Sequence, residues 1–226
     1  MIEKILPSRV AVAEAFSDLP DAVLLPAEEA LTRGFVAKRR GEFATARHCA
    51  RLALGSLGIP PVPILKGARG APIWPENTVG SLTHCTGYRA AVVAHRADVR
   101  SVGIDAECDA PLPADVHGSI ALATEQRRER ELCLERPEIN WDRLLFSAKE
   151  AVYKTWFPLT HRWLGFEEAD IELCPDGSFT AEILTSDLEP AAGTGAPAVP
   201  GVFSGRWLSE GGLLLTAIVV EDTPAP

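Results

Sequence analysis

Val99-Arg100-Ser101-Val102-Gly103-Ile104-Asp105-Ala106-Glu107-Cys108 runs straight into Asp109-Ala110-Pro111-Leu112-Pro113. The β-branched, largely apolar part predicts a strand over Val99–Ala106, and the proline-rich part a connection. Residues two apart in a strand share a face, so Asp105 and Glu107 point the same way near the strand's end. Two carboxylates held side by side repel, and one is pushed toward its protonated form unless a cation stands between them. Mg²⁺ suits such a place, because it takes oxygen ligands and keeps waters that a phosphate can displace. On this segment alone, a solvated acid pair at a strand end remains the competing reading.

Outward from this strand, helices and strands alternate irregularly. Upstream, Pro26 with Glu28 and Glu29 marks a helix start. Phe43, Ala46, Ala50, Ala53, Leu54 and Leu57 recur at helical spacing, which predicts a helix over Gly41–Leu57 ended by Gly58 and the prolines after it. Residues 64–78 read as a loop, and strands follow over Val79–Thr83 and Ala90–Ala94. Downstream, helices are predicted over Thr124–Glu135 and Asn140–Phe157, the second capped by Asn140 and closed by Pro158. Strands are expected over Asp170–Leu173, Ser178–Leu184, Gly205–Leu208 and Leu213–Val220, with a mobile insertion at 186–204 and a frayed tail at 221–226. Each half thus reads helix first and antiparallel strands after, which predicts an α+β fold, with the split near Cys108–Pro113.

The chain has 226 residues and a net charge of −9, so as a whole it is read as binding neither nucleic acid nor an anionic membrane. Its longest strongly apolar run, Leu213–Val220, falls far short of the roughly 20 residues that cross a bilayer. The first twenty residues include Glu3, Glu14 and Asp18 and lack a clean apolar stretch, so no signal peptide or anchor is expected. Cys49, Cys85, Cys108, Cys133 and Cys174 are odd in number, with no Cys-x-x-Cys, and are expected to be free thiols in a reducing cytoplasm.

The charge is unevenly placed. From Arg33 to Arg69 there are eight basic residues against one acid, Glu42, which leaves the rest of the chain strongly acidic. A small polyanion such as a nucleotide phosphate would account for that patch, and so would a solvated helix face paired with acids elsewhere. On the predicted helix at Asn140–Phe157, Phe146-Ser147-Ala148-Lys149-Glu150-Ala151-Val152-Tyr153-Lys154 sets Glu150 and Lys154 on one face. That is either an ordinary surface pair or a third carboxylate with a phosphate-holding lysine one turn away.

The three features together resemble the Sfp-like class of the 4′-phosphopantetheinyl transferase superfamily. The family's G-[I/V]-D-x-E appears as Gly103–Glu107, and its [F/W]-[S/C/T]-x-K-E-[A/S]-x-x-K about 40 residues on as Phe146–Lys154. Ser81-Leu82-Thr83-His84 resembles the family's phosphate-binding S-x-[S/T]-H, and KRRGEFATAR and ILKGARGAPIWP resemble its coenzyme A-binding elements. The resemblance implies two similar α+β halves related by a pseudo-twofold axis, 1–108 and 109–226, with the active site in their cleft. It implies a cytoplasmic monomer.

The implied reaction moves the 4′-phosphopantetheine of coenzyme A to a serine of an apo acyl or peptidyl carrier protein and releases adenosine 3′,5′-bisphosphate. The carriers implied belong to polyketide and nonribosomal peptide synthases, with fatty acid synthase carriers as a further class. Asp105, Glu107 and Glu150 match the ligands of Mg²⁺, or Mn²⁺ in its place. Glu150 also matches a general base, a role that a water could fill instead. Lys154 would steady a phosphate and the leaving group, and His84 and Thr83 would meet a phosphate of coenzyme A. Arg39 and Arg47 match residues that hold the adenosine 3′-phosphate or the diphosphate, and Lys66, Gly67, Ala68 and Arg69 the loop around the nucleotide. Arg40 and Arg51 could equally be structural. Tyr153, Phe157, Trp163 and Phe166 could line a groove for the pantetheine arm or simply pack. Phe146 stands where many members have tryptophan, and Ala106 can supply no ligand between the two acids, where water would take its place. The competing classes are a Mg²⁺-dependent coenzyme A or nucleotide pyrophosphohydrolase, which needs no protein acceptor, and a non-enzymatic binding module, in which Glu150 would be only a surface partner of Lys154.

Overall fold

The computed structural model describes residues 1–193 and 197–221. Residues 194–196 of the expected insertion and 222–226 of the expected frayed tail lie outside the described residues. The elements are β1 (Ala11–Ala15), α1 (Pro26–Glu29), α2 (Ala37–Ser56), β2 (Leu65–Lys66), β3 (Pro72–Ile73), β4 (Thr78–Cys85), β5 (Tyr88–His95) and β6 (Val99–Cys108). They continue with α3 (Ala114–Ile120), α4 (Ala123–Glu135), α5 (Trp141–Thr160), β7 (Ala169–Leu173), β8 (Ser178–Ile183), β9 (Val202–Glu210) and β10 (Leu213–Glu221). The fold is α+β. The chain forms two compact units, Met1–Val102 with Glu221 and Gly103–Val220, and the division falls inside β6.

In the first unit β1, β5 and β4 form an antiparallel sheet in that order. Ala50, Ala53 and Leu54 of α2 are fully buried in one cluster with Ala91 and Val93 of β5. The sequence reading differs here in three places. β1 precedes the helix, so this half does not begin helix first. Its alanines carry little strand preference of their own, and pairing with β5 makes the strand. The region read as a loop at 64–78 contains the β2–β3 hairpin. The helix starts at Ala37 rather than Gly41, which brings Lys38, Arg39 and Arg40 into its first turn. Gly41 costs a helix about 1 kcal/mol against alanine. Here Asp18 packs on the bare backbone, its Oδ2 3.1 Å from where a Cβ would stand.

In the second unit the sheet order is β6-β10-β9-β8-β7. The strands from β7 to β10 pair antiparallel in succession. Trp141, Leu144, Ala148, Val152 and Trp156 of α5 are buried among Ile171, Phe179, Phe203, Trp207, Leu214 and Ile218. Trp141 meets Trp207 edge to face at 5.3 Å between ring centroids. α3 lies in the stretch after Pro113 that the sequence reading left without an element. α5 runs through Pro158 to Thr160 and ends at His161 in the left-handed conformation. The proline removes the N–H that would reach the carbonyl a turn back, and its ring crowds that carbonyl. Trp156, Phe157 and Leu159 bury that turn and hold it helical. All five cysteines are free. No helix among the described residues is long and apolar enough to cross a membrane.

Two contacts fix α5. The first is at Gly103, where an added Cβ would lie 2.2 Å from the Ala151 carbonyl oxygen and 2.3 Å from Thr155 Oγ1. Only glycine lets the helix come this close to β6. The second is a buried ion pair, with Lys149 Nζ 3.0 Å from Glu125 Oε1 of α4. Lys149 also donates to the Phe166 and Ala169 carbonyls at 2.6 and 2.8 Å, and Glu125 accepts from the Leu122 and Ile171 amides at 2.7 Å each. Such a pair is costly to break on one side, because the remaining charge stays buried.

Gly103→Ala is expected to destabilise the protein by about 3 kcal/mol in urea unfolding, since the displaced atoms are helix backbone. A loss under about 0.5 kcal/mol would contradict the contact. Lys149→Met is expected to cost about 3 kcal/mol, and Lys149→Met with Glu125→Leu less than Glu125→Leu alone plus Lys149→Met alone. Strict additivity would show that the two residues do not depend on each other.

Candidate active site

Two side-chain constellations stand out, one in each unit. In the second unit, β6 carries Asp105 and Glu107 on one face and α5 carries Glu150 and Lys154. Lys154 Nζ donates to Asp105 Oδ1 at 2.7 Å. Asp105 is buried, only 5% exposed, while Lys154 is half-buried. Glu107 Oε2 accepts from Arg143 Nη1 at 3.1 Å. Burial pushes the Glu107 carboxyl above the usual range, Asp105 adds to the rise, and Arg143 and Lys154 oppose it. Burial pushes Glu150 up in the same way, with Lys154 opposing and Asp105 adding. The three acids and two cations therefore act on one another electrostatically. Ala106, one residue off in the strand, is 1% exposed and faces the other way, where it packs.

Among the described residues no three His, Cys, Asp or Glu side chains are already gathered at metal-binding spacing. Asp105 and Glu107 instead hold Lys154 and Arg143. The donor set still fits a hard divalent ion. It is carboxylate only, it holds one more acid than cations, and two of its acids carry raised pKa values that an ion would relieve.

In the first unit a cationic group is built on two rings. Phe35 and Phe43 meet edge to face at 5.8 Å. The Arg47 guanidinium lies 3.8 Å from the Phe43 centroid, and Lys66 Nζ 5.3 and 5.4 Å from the two rings. Arg39 lies 5.9 Å from Phe35. Cations over aromatic faces are attracted by the ring quadrupole, which offsets part of their mutual repulsion. Burial pulls the Arg47 guanidinium down to about 10, with Glu28 opposing and Arg39 and Arg51 adding. Lys66 is lowered by burial first, then by Arg47 and Arg39. Arg39 Nη1 also stands 2.5 Å from His84 Nε2 and donates to Glu42 Oε2 at 3.2 Å.

The other expected residues divide. Thr83 is buried on the face of β4 opposite His84. Gly67, Ala68 and Arg69 make the β2–β3 turn, where the Gly67 amide donates to the Ala71 carbonyl at 2.7 Å and exposed Arg69 has a left-handed φ of 52°. Arg40 and Arg51 serve structure. Arg40 pairs with Glu29 and Thr32, and Arg51 with Glu28, which is fully buried and also accepts the Ile64 amide. Tyr153, Phe157 and Trp163 form one aromatic group, with centroids 5.8 and 5.0 Å from Tyr153. Phe166 lies instead against Phe146, at 6.0 Å.

Sequence reasoning missed Arg143 and the two rings. Both had a periodic signal. Phe35, Arg39, Phe43 and Arg47 follow one another at intervals of four. Arg143, Glu150 and Lys154 are spaced by seven and four, so they lie within roughly 40° of one another round a helix.

Residues 27–94 match the 4′-phosphopantetheinyl transferase N-terminal domain, and residues 101–196 match the 4′-phosphopantetheinyl transferase superfamily. The chain belongs to the 4′-phosphopantetheinyl transferase superfamily. It is 49% identical over 224 residues to 4′-phosphopantetheinyl transferase Svp of Streptomyces mobaraensis, covering 97% of this chain and 89% of that one. To PptT of Mycobacterium tuberculosis it is 49% identical over 230 residues, covering 97% and 98%. To Npt of Nocardia iowensis it is 51% identical over 226 residues, covering 96% and 99%. Both relatives carry the same enzyme name as the first. This chain is an enzyme of that kind, and both constellations lie within the matched segments.

A raised carboxyl pKa means that Glu150 takes its proton at higher pH than a free glutamate does. Lys154→Met removes the opposing cation, so a carbon-13 titration of Glu150 is expected to move to still higher pH. An unmoved midpoint would mean that Lys154 does not act on Glu150.

Proposed function

We propose that this transferase moves the 4′-phosphopantetheine of coenzyme A to a serine of an apo acyl or peptidyl carrier protein, in a Mg²⁺-dependent reaction that releases adenosine 3′,5′-bisphosphate. The observation that carries the reading is the acid set Asp105, Glu107 and Glu150 with Lys154 already bound to Asp105 at 2.7 Å. Asp105, Glu107 and Glu150 would hold the ion, with Mn²⁺ able to take its place. The ion supplies neutralisation of phosphate charge where the P–O bond is exchanged.

The chain's own residues do the rest. Lys154 is held by a carboxylate and is one turn from Glu150, so a diphosphate oxygen can take over its Nζ. A Glu150 oxygen not engaged by the ion could accept the proton of the serine hydroxyl. A water oriented by Glu150 could accept that proton instead. Arg39, Arg47, Lys66 and His84 of the first unit, with Arg69 on its turn, form the cationic group suited to the nucleotide phosphates. A polyanion would offset the burial, and after it the mutual repulsion, that lower Arg47 and Lys66. The Tyr153, Phe157 and Trp163 group offers apolar surface for the pantetheine arm, with Trp163 58% exposed. The carriers proposed are those of polyketide, nonribosomal peptide and fatty acid synthases, and the enzyme is proposed to work as a cytoplasmic monomer.

Intact-mass measurement of an apo carrier protein incubated with this enzyme and coenzyme A tests the reading. One phosphopantetheine should be gained with Mg²⁺ and none with a chelator, and Asp105→Ala should lose at least a hundredfold in rate while staying folded. Near-normal transfer by Asp105→Ala would remove it from the metal set. Cleaved coenzyme A without carrier modification would favour the pyrophosphohydrolase.

A further inference from the structure

Arg143 stands outside the motifs that point to the reaction, yet it is the residue that grips one of the proposed ligands. Its guanidinium makes three bonds: Nη1 to Glu107 Oε2 at 3.1 Å, Nε to the Ala110 carbonyl at 3.0 Å and Nη2 to the Pro111 carbonyl at 3.1 Å. The two carbonyls belong to the segment leaving β6, which is itself tied down. The Asp109 amide donates to the Gly212 carbonyl at 2.9 Å, Asn140 Nδ2 donates to Asp109 Oδ1 at 2.8 Å, and the Leu112 amide donates to Asp142 Oδ2 at 2.7 Å.

We infer that Arg143 is a positioning residue for the metal site, holding Glu107 by one carboxylate oxygen so that the other is presented to the ion. This rests on the metal-dependent transfer proposed above. A glutamate carries three side-chain torsions, and Glu107 sits on the same strand face as Asp105, whose charge repels it. Left alone, its carboxylate would swing away, and binding an ion would have to order it first. Arg143 does that ordering in advance. It is not merely a cation competing with the metal, because two of its three bonds go to backbone carbonyls and fix it independently of Glu107. Partners that orient a ligating carboxylate in this way typically change metal affinity by about 10–100-fold when removed.

The test is Mn²⁺ binding to the full chain, without substrates, read from the electron paramagnetic resonance of the free ion, beside a thermal unfolding curve for each variant. Arg143→Ala is expected to weaken Mn²⁺ binding by about tenfold or more. Arg143→Lys keeps the charge but cannot span two carbonyls and a carboxylate, so it should bind nearly as weakly, and it carries the test if the alanine variant does not fold. Glu107→Ala should weaken binding at least as much, and adding Arg143→Ala to it should cost nothing further, because the arginine acts only through Glu107. Wild-type or tighter binding in folded Arg143→Ala or Arg143→Lys, with Glu107→Ala weakened, would overturn the inference and leave the metal reading standing. Unchanged binding in Glu107→Ala would overturn both.

Discussion

The backbone of α5 occupies the space where a side chain at residue 103 would be. From that contact follows most of the chemistry of the second unit. With the helix pressed against β6, Asp105 comes within hydrogen-bond reach of Lys154, and Glu150 comes into the field of both. A methyl group at 103 would push the helix off by more than an ångström, and a hydrogen bond does not survive such a displacement. Lys149 then sets the helix from its other side, buried against Glu125 and two carbonyls beside β7. Adjacent residues of one motif thus differ, Lys149 fixing the position of the helix and Glu150 carrying the chemistry only in the proposed reaction.

Each constellation carries unbalanced charge, and of opposite sign. The acids of the second unit exceed their two cations, and burial leaves Glu107 and Glu150 reluctant to ionise. The cations of the first unit crowd over two phenylalanine rings, where burial and their neighbours disfavour the charge on Arg47 and Lys66. Either arrangement costs folding free energy in the absence of a ligand. Elsewhere the chain spends its charges on structure, as Glu28 does with Arg51. The two constellations crowd like charge at the residues where the proposed transfer needs a cation for the acids and a phosphorylated nucleotide for the bases.

Much of this was legible in the sequence, for identifiable reasons. Gly103–Glu107 and Phe146–Lys154 are local motifs whose spacing alone puts their acids on one strand face and one helix face. β7, β8 and β9 were readable from alternation, because one side of the sheet is packed under α5, and β10 from its continuous apolar run. β1 was not, since Ala11–Ala15 becomes a strand only through its long-range pairing with β5. The start of α2 was misplaced because the apolar spacing that marks the helix begins only at Phe43, while its first turn is Ala37 with Lys38, Arg39 and Arg40. Whether a given arginine is structural or functional was also illegible. Arg47 and Arg51 sit one turn apart, yet one turns to Phe43 and the other to a buried glutamate that no local pattern marks as buried.

The account stands or falls on the carboxylates gathering round one ion. Anomalous diffraction from crystals grown with Mn²⁺ and coenzyme A measures this directly. The account predicts a single strong peak about 2.1 Å from carboxylate oxygens of Asp105, Glu107 and Glu150, with Lys154 moved from Asp105 to a phosphate oxygen. A Mn²⁺ held by the phosphates alone, with Lys154 still on Asp105, would contradict it.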